Sequence, residues 1–111
     1  MIRIDESRQG AALVLRLTGR LDGGGSGALE ALLLERIAQG VGEIVVDFTG
    51  VDYISSAGLR VLLMGAKRVK PSGGRLALSG MVESIREVFE VSGFLKILPA
   101  FATVEEAREG R

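Results

Sequence analysis

Ile2 and Ile4 alternate with Arg3 and Asp5, and Leu13, Leu15 and Leu17 alternate with Val14, Arg16 and Thr18, with Gln9-Gly10 between the two runs. A period of two on either side of a turn dipeptide predicts an antiparallel hairpin with one apolar face. The period then changes. Between Gly27 and Gly40, Leu29, Leu32, Leu33 and Ile37 recur at spacings of three and four, which predicts a helix stopped by glycine. The preceding Gly23-Gly24-Gly25-Ser26-Gly27 reads as a flexible loop. Ile44-Val45-Val46 is an unbroken β-branched run, the mark of a strand covered on both faces, and a short acidic loop follows it. Leu59, Leu62, Leu63, Ala66 and Val69 share one helical face until Pro71-Ser72-Gly73-Gly74 breaks the pattern. A second buried strand is predicted at Arg75-Leu76-Ala77-Leu78. Ile85, Val88 and Phe89 mark a third helix ending near Ser92-Gly93, and Leu95–Leu98 reads as a short edge strand closed by Pro99. Thr103-Val104-Glu105-Glu106 is a capping-box signature for a last helix.

A hairpin followed by strand and helix in alternation implies a small α/β domain whose later strands run parallel. The 111 residues fit a single domain, 1–111, and a chain of this length buries roughly two-thirds of its unfolded surface, enough for a core without staples. Fourteen basic and 14 acidic residues cancel, so no general attraction to nucleic acid or an anionic membrane is expected. Cysteine and histidine are both absent, which removes disulfides, thiol nucleophiles, the commonest zinc ligands and every serine-histidine-aspartate triad. The charged N-terminus lacks the apolar run of a secretory signal, and Leu29–Leu34 is too short to span a membrane, so a cytoplasmic protein without membrane insertion is expected.

Chemistry concentrates where Ser55 and Ser56 precede an apolar helical stripe. A helix start offers free backbone N–H groups and the positive end of the macrodipole, so a phosphate on a serine there is electrostatically favoured. The plain structural alternative is an N-cap, a role serine fills often, and both roles fit one junction. Gly58 in the first helical turn either lets a partner's backbone approach or packs helix closely on sheet. Asp22 and Asp52 form a weak metal-binding pair without histidine, and solvated or turn-forming carboxylates are the simpler account. The glycine-rich segment lacks the lysine and terminal hydroxyl of a phosphate-binding loop, so no cofactor is expected. Arg60, Lys67, Arg68 and Lys70 read as a solvated helix face, and Phe89, Phe94 and Phe101 as packing residues. Nothing supplies a tuned base or a nucleophile pair, so no enzyme is expected.

Four segments together carry a resemblance: Leu17-Thr18-Gly19-Arg20-Leu21-Asp22; Val45 through Leu59 with its Asp52-Tyr53-Ile54-Ser55-Ser56-Ala57-Gly58 centre; Gly73-Gly74-Arg75-Leu76; and Phe89-Glu90-Val91-Ser92-Gly93-Phe94. In this order the chain resembles the STAS domain family of the anti-sigma-factor-antagonist type. The resemblance implies a mixed sheet of four to five strands with about four helices packed mainly on one side. It implies a bacterial regulator that binds an anti-sigma-factor serine kinase, lets go when phosphorylated, and is reset by a phosphatase; a monomer or weak dimer is expected. It puts the modified serine at Ser56, with Ser55, standing where the family often has aspartate, as the alternative. Asp22, Gly24, Asp52, Ser55, Ser56, Ala57, Gly58, Leu59 and Arg60 are the implied partner-binding positions. The alternative role is a scaffold subunit of a sensory complex or of a lipid-transport ABC system, without reversible phosphorylation.

Overall fold

A computed structural model describes residues 2–110. The predicted hairpin forms as β1 (Ile2–Gln9) and β2 (Ala12–Leu21), antiparallel, with Gln9 paired to Ala12 so that the turn falls on Gly10-Ala11. The chain continues through α1 (Gly23–Ala38), β3 (Glu43–Ile54), α2 (Ser56–Val69), β4 (Arg75–Ser79), α3 (Glu83–Val91), β5 (Ala100–Phe101) and α4 (Val104–Glu109). The five strands lie in the order β1-β2-β3-β4-β5, and every pairing after the hairpin is parallel. This is the expected mixed sheet.

Alternation along the strands divides the interior into two layers. Leu13, Leu15 and Leu17 of β2, Ile44, Val46 and Phe48 of β3, and Leu76 and Leu78 of β4 face one way, into a core closed by Leu29 and Leu33 of α1, Leu62 and Val69 of α2, and Ile85 and Phe89 of α3. Phe89 meets Phe48 edge to face, ring centroids 6.2 Å apart at 87°, the favoured aromatic geometry. On the opposite face Val14, Val45 and Ala77 form a smaller layer under Val104 and Ala107 of α4. The run Ile44-Val45-Val46 is therefore buried on both sides, as its composition predicts. The Thr103 hydroxyl and the Glu106 carboxylate form the predicted reciprocal capping box. Between β1 and α1, Arg36 grips Glu6 with a two-pronged pair at 2.8 and 3.1 Å, and that guanidinium hydrogen bond lowers the Glu6 pKa.

Three predicted elements differ. The glycine-rich segment is not a loop: α1 starts at Gly23, four residues before the expected boundary, because Asp22 caps it and Ser26 Oγ bonds Gly23 O at 2.9 Å. Its glycines are a matter of space. A Cβ on Gly25 would sit 2.8 Å from Ile2 Cγ2 and 3.3 Å from Arg20 O, so only a bare backbone lets the helix start against the hairpin. The acidic segment after Val46 is not a loop either; β3 runs on to Ile54, with register shifts where Arg16 and Thr18 pair with Asp47 and Gly50, and where Gly19 and Arg20 pair with Val51 and Tyr53. Asp52 is the unopposed residue of the second shift. Finally, Leu95–Leu98 is not a strand. Phe94–Lys96 forms a 3₁₀ turn whose Phe94 carbonyl accepts from Ile97 and Leu98, Leu98 drops into the core, and the edge strand begins only after Pro99. Val88, expected on the packed face of the third helix, is exposed, whereas Phe94 and Phe101 are half-buried packing residues.

The aromatic contact gives a direct check on the larger layer. Phe89→Ala leaves a cavity between α3 and β3, and urea unfolding should show a loss of about 3–5 kcal/mol; a loss below about 1 kcal/mol would mean that α3 is not fixed there.

Candidate functional site

Two helices start side by side at the C-terminal ends of β2 and β3. Leu21 pairs with Ile54 in register, and the Ser55 N–H donates to Leu21 O at 2.9 Å, so the residues that follow, Asp22 and Ser56, emerge next to each other. Each helix is capped from its own sequence. Asp22 Oδ1 accepts from the Gly25 N–H at 2.9 Å and Ser55 Oγ accepts from the Gly58 N–H at 3.2 Å, the usual hydrogen bond from an N-cap side chain to the third helical N–H. The Gly25 N–H, with a smaller contribution from Arg20, holds the Asp22 carboxyl below the usual aspartate range.

The two serines are thereby distinguished. Ser55 is half-buried and its oxygen is committed to the cap, whereas Ser56, the first residue inside α2, is exposed and its hydroxyl has no hydrogen-bond partner among the described residues. The backbone N–H groups of Ser56 and Ala57 are likewise without a backbone acceptor, because the helical bonding begins with Leu59 N–H to Ser55 O at 3.0 Å. An exposed hydroxyl, two open N–H donors and the positive end of a 14-residue helix coincide at one point.

Other predicted positions separate into surface and support. Gly24 is exposed in the first turn of α1, Ala57 and Leu59 are half-exposed, and Arg60 projects to solvent one turn beyond Ser56. Asp52 is exposed at its bulge. Gly58 is different. It is buried, and a Cβ there would lie 2.9 Å from Leu21 Cγ and 3.1 Å from Ile54 Cγ1, so it presses α2 onto the sheet and offers no surface to a partner. The Asp22 carboxylate is engaged by its own helix, and among the described residues no group of three His, Cys, Asp or Glu side chains is placed to hold a metal ion.

The structure adds residues that sequence patterns did not single out. The Arg20 guanidinium lies 4.0 Å over the exposed Tyr53 ring, a cation–π contact beside the two helix starts. Both residues stood inside the recognised segments, but only the register pairing of Arg20 with Tyr53 shows that they meet. Between α1 and α2 runs an open groove of about 430 Å³ whose lining includes Gly27, Glu30, Ala57, Arg60 and Met64. No sequence signal placed Glu30 in one groove with Arg60.

Ser56 thus presents an exposed, unengaged hydroxyl at the start of a helix, at the edge of a small α/β domain. The STAS-domain model described as "Mlab, STAS domain" matches residues 4–99, and the chain belongs to the STAS domain family. A protein of Bordetella bronchiseptica named as the anti-sigma factor antagonist BtrV is 41% identical over 95 residues, covering 86% of this chain and 82% of that one. The crystal structure of an anti-sigma factor antagonist from Mycobacterium paratuberculosis superposes with a TM-score of 0.90 at 20% identity, covering 99% and 93% of the two chains, and shows the same fold. The anti-sigma factor antagonist SpoIIAA is 25% identical. Its unphosphorylated form covers 99% of this chain and 96% of its own at a TM-score of 0.76. Its phosphorylated form, from Bacillus, covers 97% and 98% at 0.77. Among the described residues no helix is long and apolar enough to cross a membrane.

The caps separate under mutation and under acid. Ser55→Ala removes the α2 cap and should cost about 1 kcal/mol in urea unfolding, whereas Ser56→Ala, at an exposed unbonded hydroxyl, should stay within about 0.5 kcal/mol of the parent; equal losses would contradict the division of roles. Because the Asp22 pKa is lowered by folding, its contribution to stability is present above the unfolded value near 3.8 and fades as pH falls through the lower folded value. Asp22→Asn should therefore flatten the acid limb of a stability–pH curve below about pH 4.

Proposed function

We propose that this protein is a cytoplasmic anti-sigma-factor antagonist, a binding module rather than an enzyme, switched by phosphorylation of Ser56. The unmodified surface formed by Asp22, Gly24, Asp52, Ser55, Ser56, Ala57, Leu59 and Arg60 docks onto an anti-sigma-factor serine kinase, which frees a sigma factor from inhibition. Phosphate on Ser56 ends that docking, and a phosphatase restores it. The observation that carries this reading is the exposed, unpartnered Ser56 hydroxyl at the first position of α2 beside the committed oxygen of Ser55. The names of the relatives, among them a protein with a phosphorylated form, support the same role.

Electrostatics explain how so small a change acts. Phosphoserine carries close to two negative charges near neutral pH, and here it joins the exposed Asp52 and the Asp22 carboxylate at the same end of the sheet. A partner surface suited to a neutral hydroxyl meets bulk and added negative charge, and like charges in apposition reduce affinity. Since the Ser56 hydroxyl makes no hydrogen bond among the described residues, its modification breaks no side-chain bond of the fold.

The test is labelling by the cognate anti-sigma-factor kinase with ATP, followed by mass-spectrometric mapping. Phosphate should appear on Ser56 and vanish in Ser56→Ala; equal labelling of that variant overturns the assignment. Ser56→Asp should weaken the kinase complex at least tenfold, about 1.4 kcal/mol, in a titration. A protein that is never labelled but co-purifies with a permease and its ATPase would instead be the scaffold subunit of a transport system.

A further inference from the structure

Arg60 stands four residues after Ser56 on α2, and residues so spaced are neighbours on a helix surface, about 5–6 Å apart at Cβ. Side chains on a helix lean towards its N-terminus, so a long side chain at the later position reaches back over the turn that carries the earlier one. An anion preceding a cation by four residues is the more favourable order. Arg60 is exposed and makes no hydrogen bond or ion pair among the described residues. The surrounding charges leave it available. Asp22 is bound to the Gly25 N–H, Arg20 lies over Tyr53, and Glu30 shares the interhelical groove with Arg60 without pairing to it. Asp52, on β3, is a further exposed carboxylate near the end of β3 that leads into α2. From Tyr53 to Val82 the sequence contains no acidic residue, and the next cation along α2 after Arg60 is Lys67, nearly two turns further on.

We infer that Arg60 is the internal receptor of a phosphate on Ser56. Its side chain folds back along α2, the guanidinium fork takes two phosphoryl oxygens, and the open N–H groups of Ser56 and Ala57 complete the cradle. This rests on the reading of Ser56 as the modified residue. The latch gives phosphorylation a second effect: besides adding charge, it withdraws Arg60 from the groove between α1 and α2, removing a cation that the unmodified surface presents to its partner.

The test installs phosphoserine at position 56 during translation, with no kinase involved, and follows the second phosphate ionisation by ³¹P NMR. A cation in contact favours the dianion and lowers that pKa. Arg60→Gln should raise it by about 0.2 to 0.4 pH units relative to the otherwise native phosphoprotein. Arg60→Lys should fall between the two, keeping a charge and losing the fork, and Lys67→Gln should leave the titration unchanged. The inference is overturned if Arg60→Gln titrates like the native residue, or if Lys67→Gln shifts the curve as far, which would make the effect a general field. Failure of a kinase to label Ser56 would remove the proposed switch without altering this titration, so the two can be told apart.

Discussion

The parallel pairing of β2 with β3 is the constraint on which the site depends. By setting Leu21 against Ile54, and by closing the Ser55 N–H onto the Leu21 carbonyl at 2.9 Å, it brings two helix starts to one edge of the sheet. A slip of one residue would turn the core side chains of β3 to the opposite face and misplace both caps. The close seating of α2 reinforces the register, because Gly58 lies directly on Leu21 and Ile54 and has no room for even a methyl group. The edge that carries Ser56 is therefore anchored by buried packing on one side and leaves its polar groups to solvent on the other.

The junction divides its tasks between neighbouring residues. Ser55 holds the helix start by accepting from Gly58, Asp22 does the same for α1 through Gly25, and the Ser56 hydroxyl has no partner among the described residues. A group that contributes no internal bond can be modified without disturbing the fold, and this separation suits a regulatory site. The net charge of zero conceals local asymmetry: the stretch containing α2 carries only cations, whereas α3 and α4 carry all of the later acids.

Most of the framework was legible from periodicity. The hairpin, the doubly buried Ile44-Val45-Val46, the apolar face of α2 and the capping box before α4 all appear where spacing predicts them. The misread segments share a cause. Gly23-Gly24-Gly25-Ser26-Gly27 has poor helix propensity, yet it is helical because the cap at Asp22 and the contact of Gly25 with Ile2 reward a bare backbone. The Asp47–Asp52 stretch has turn-like composition, yet two register shifts keep it in the sheet. Leu95–Leu98 has strand-like composition, yet burial of Leu98 favours a turn.

What the sequence determined by itself was the order and type of most elements, the family through its four spaced segments, and the short list of residues around Ser56, because period and local motif are properties of neighbours along the chain. Only the tertiary structure decided which serine is committed and which is free, that Gly58 supports rather than contacts, that Arg20 lies over Tyr53, and that Glu30 and Arg60 share a groove. Those outcomes depend on strand register and on the seating of helices against the sheet. Such contacts join residues far apart in sequence, and no local pattern encodes them.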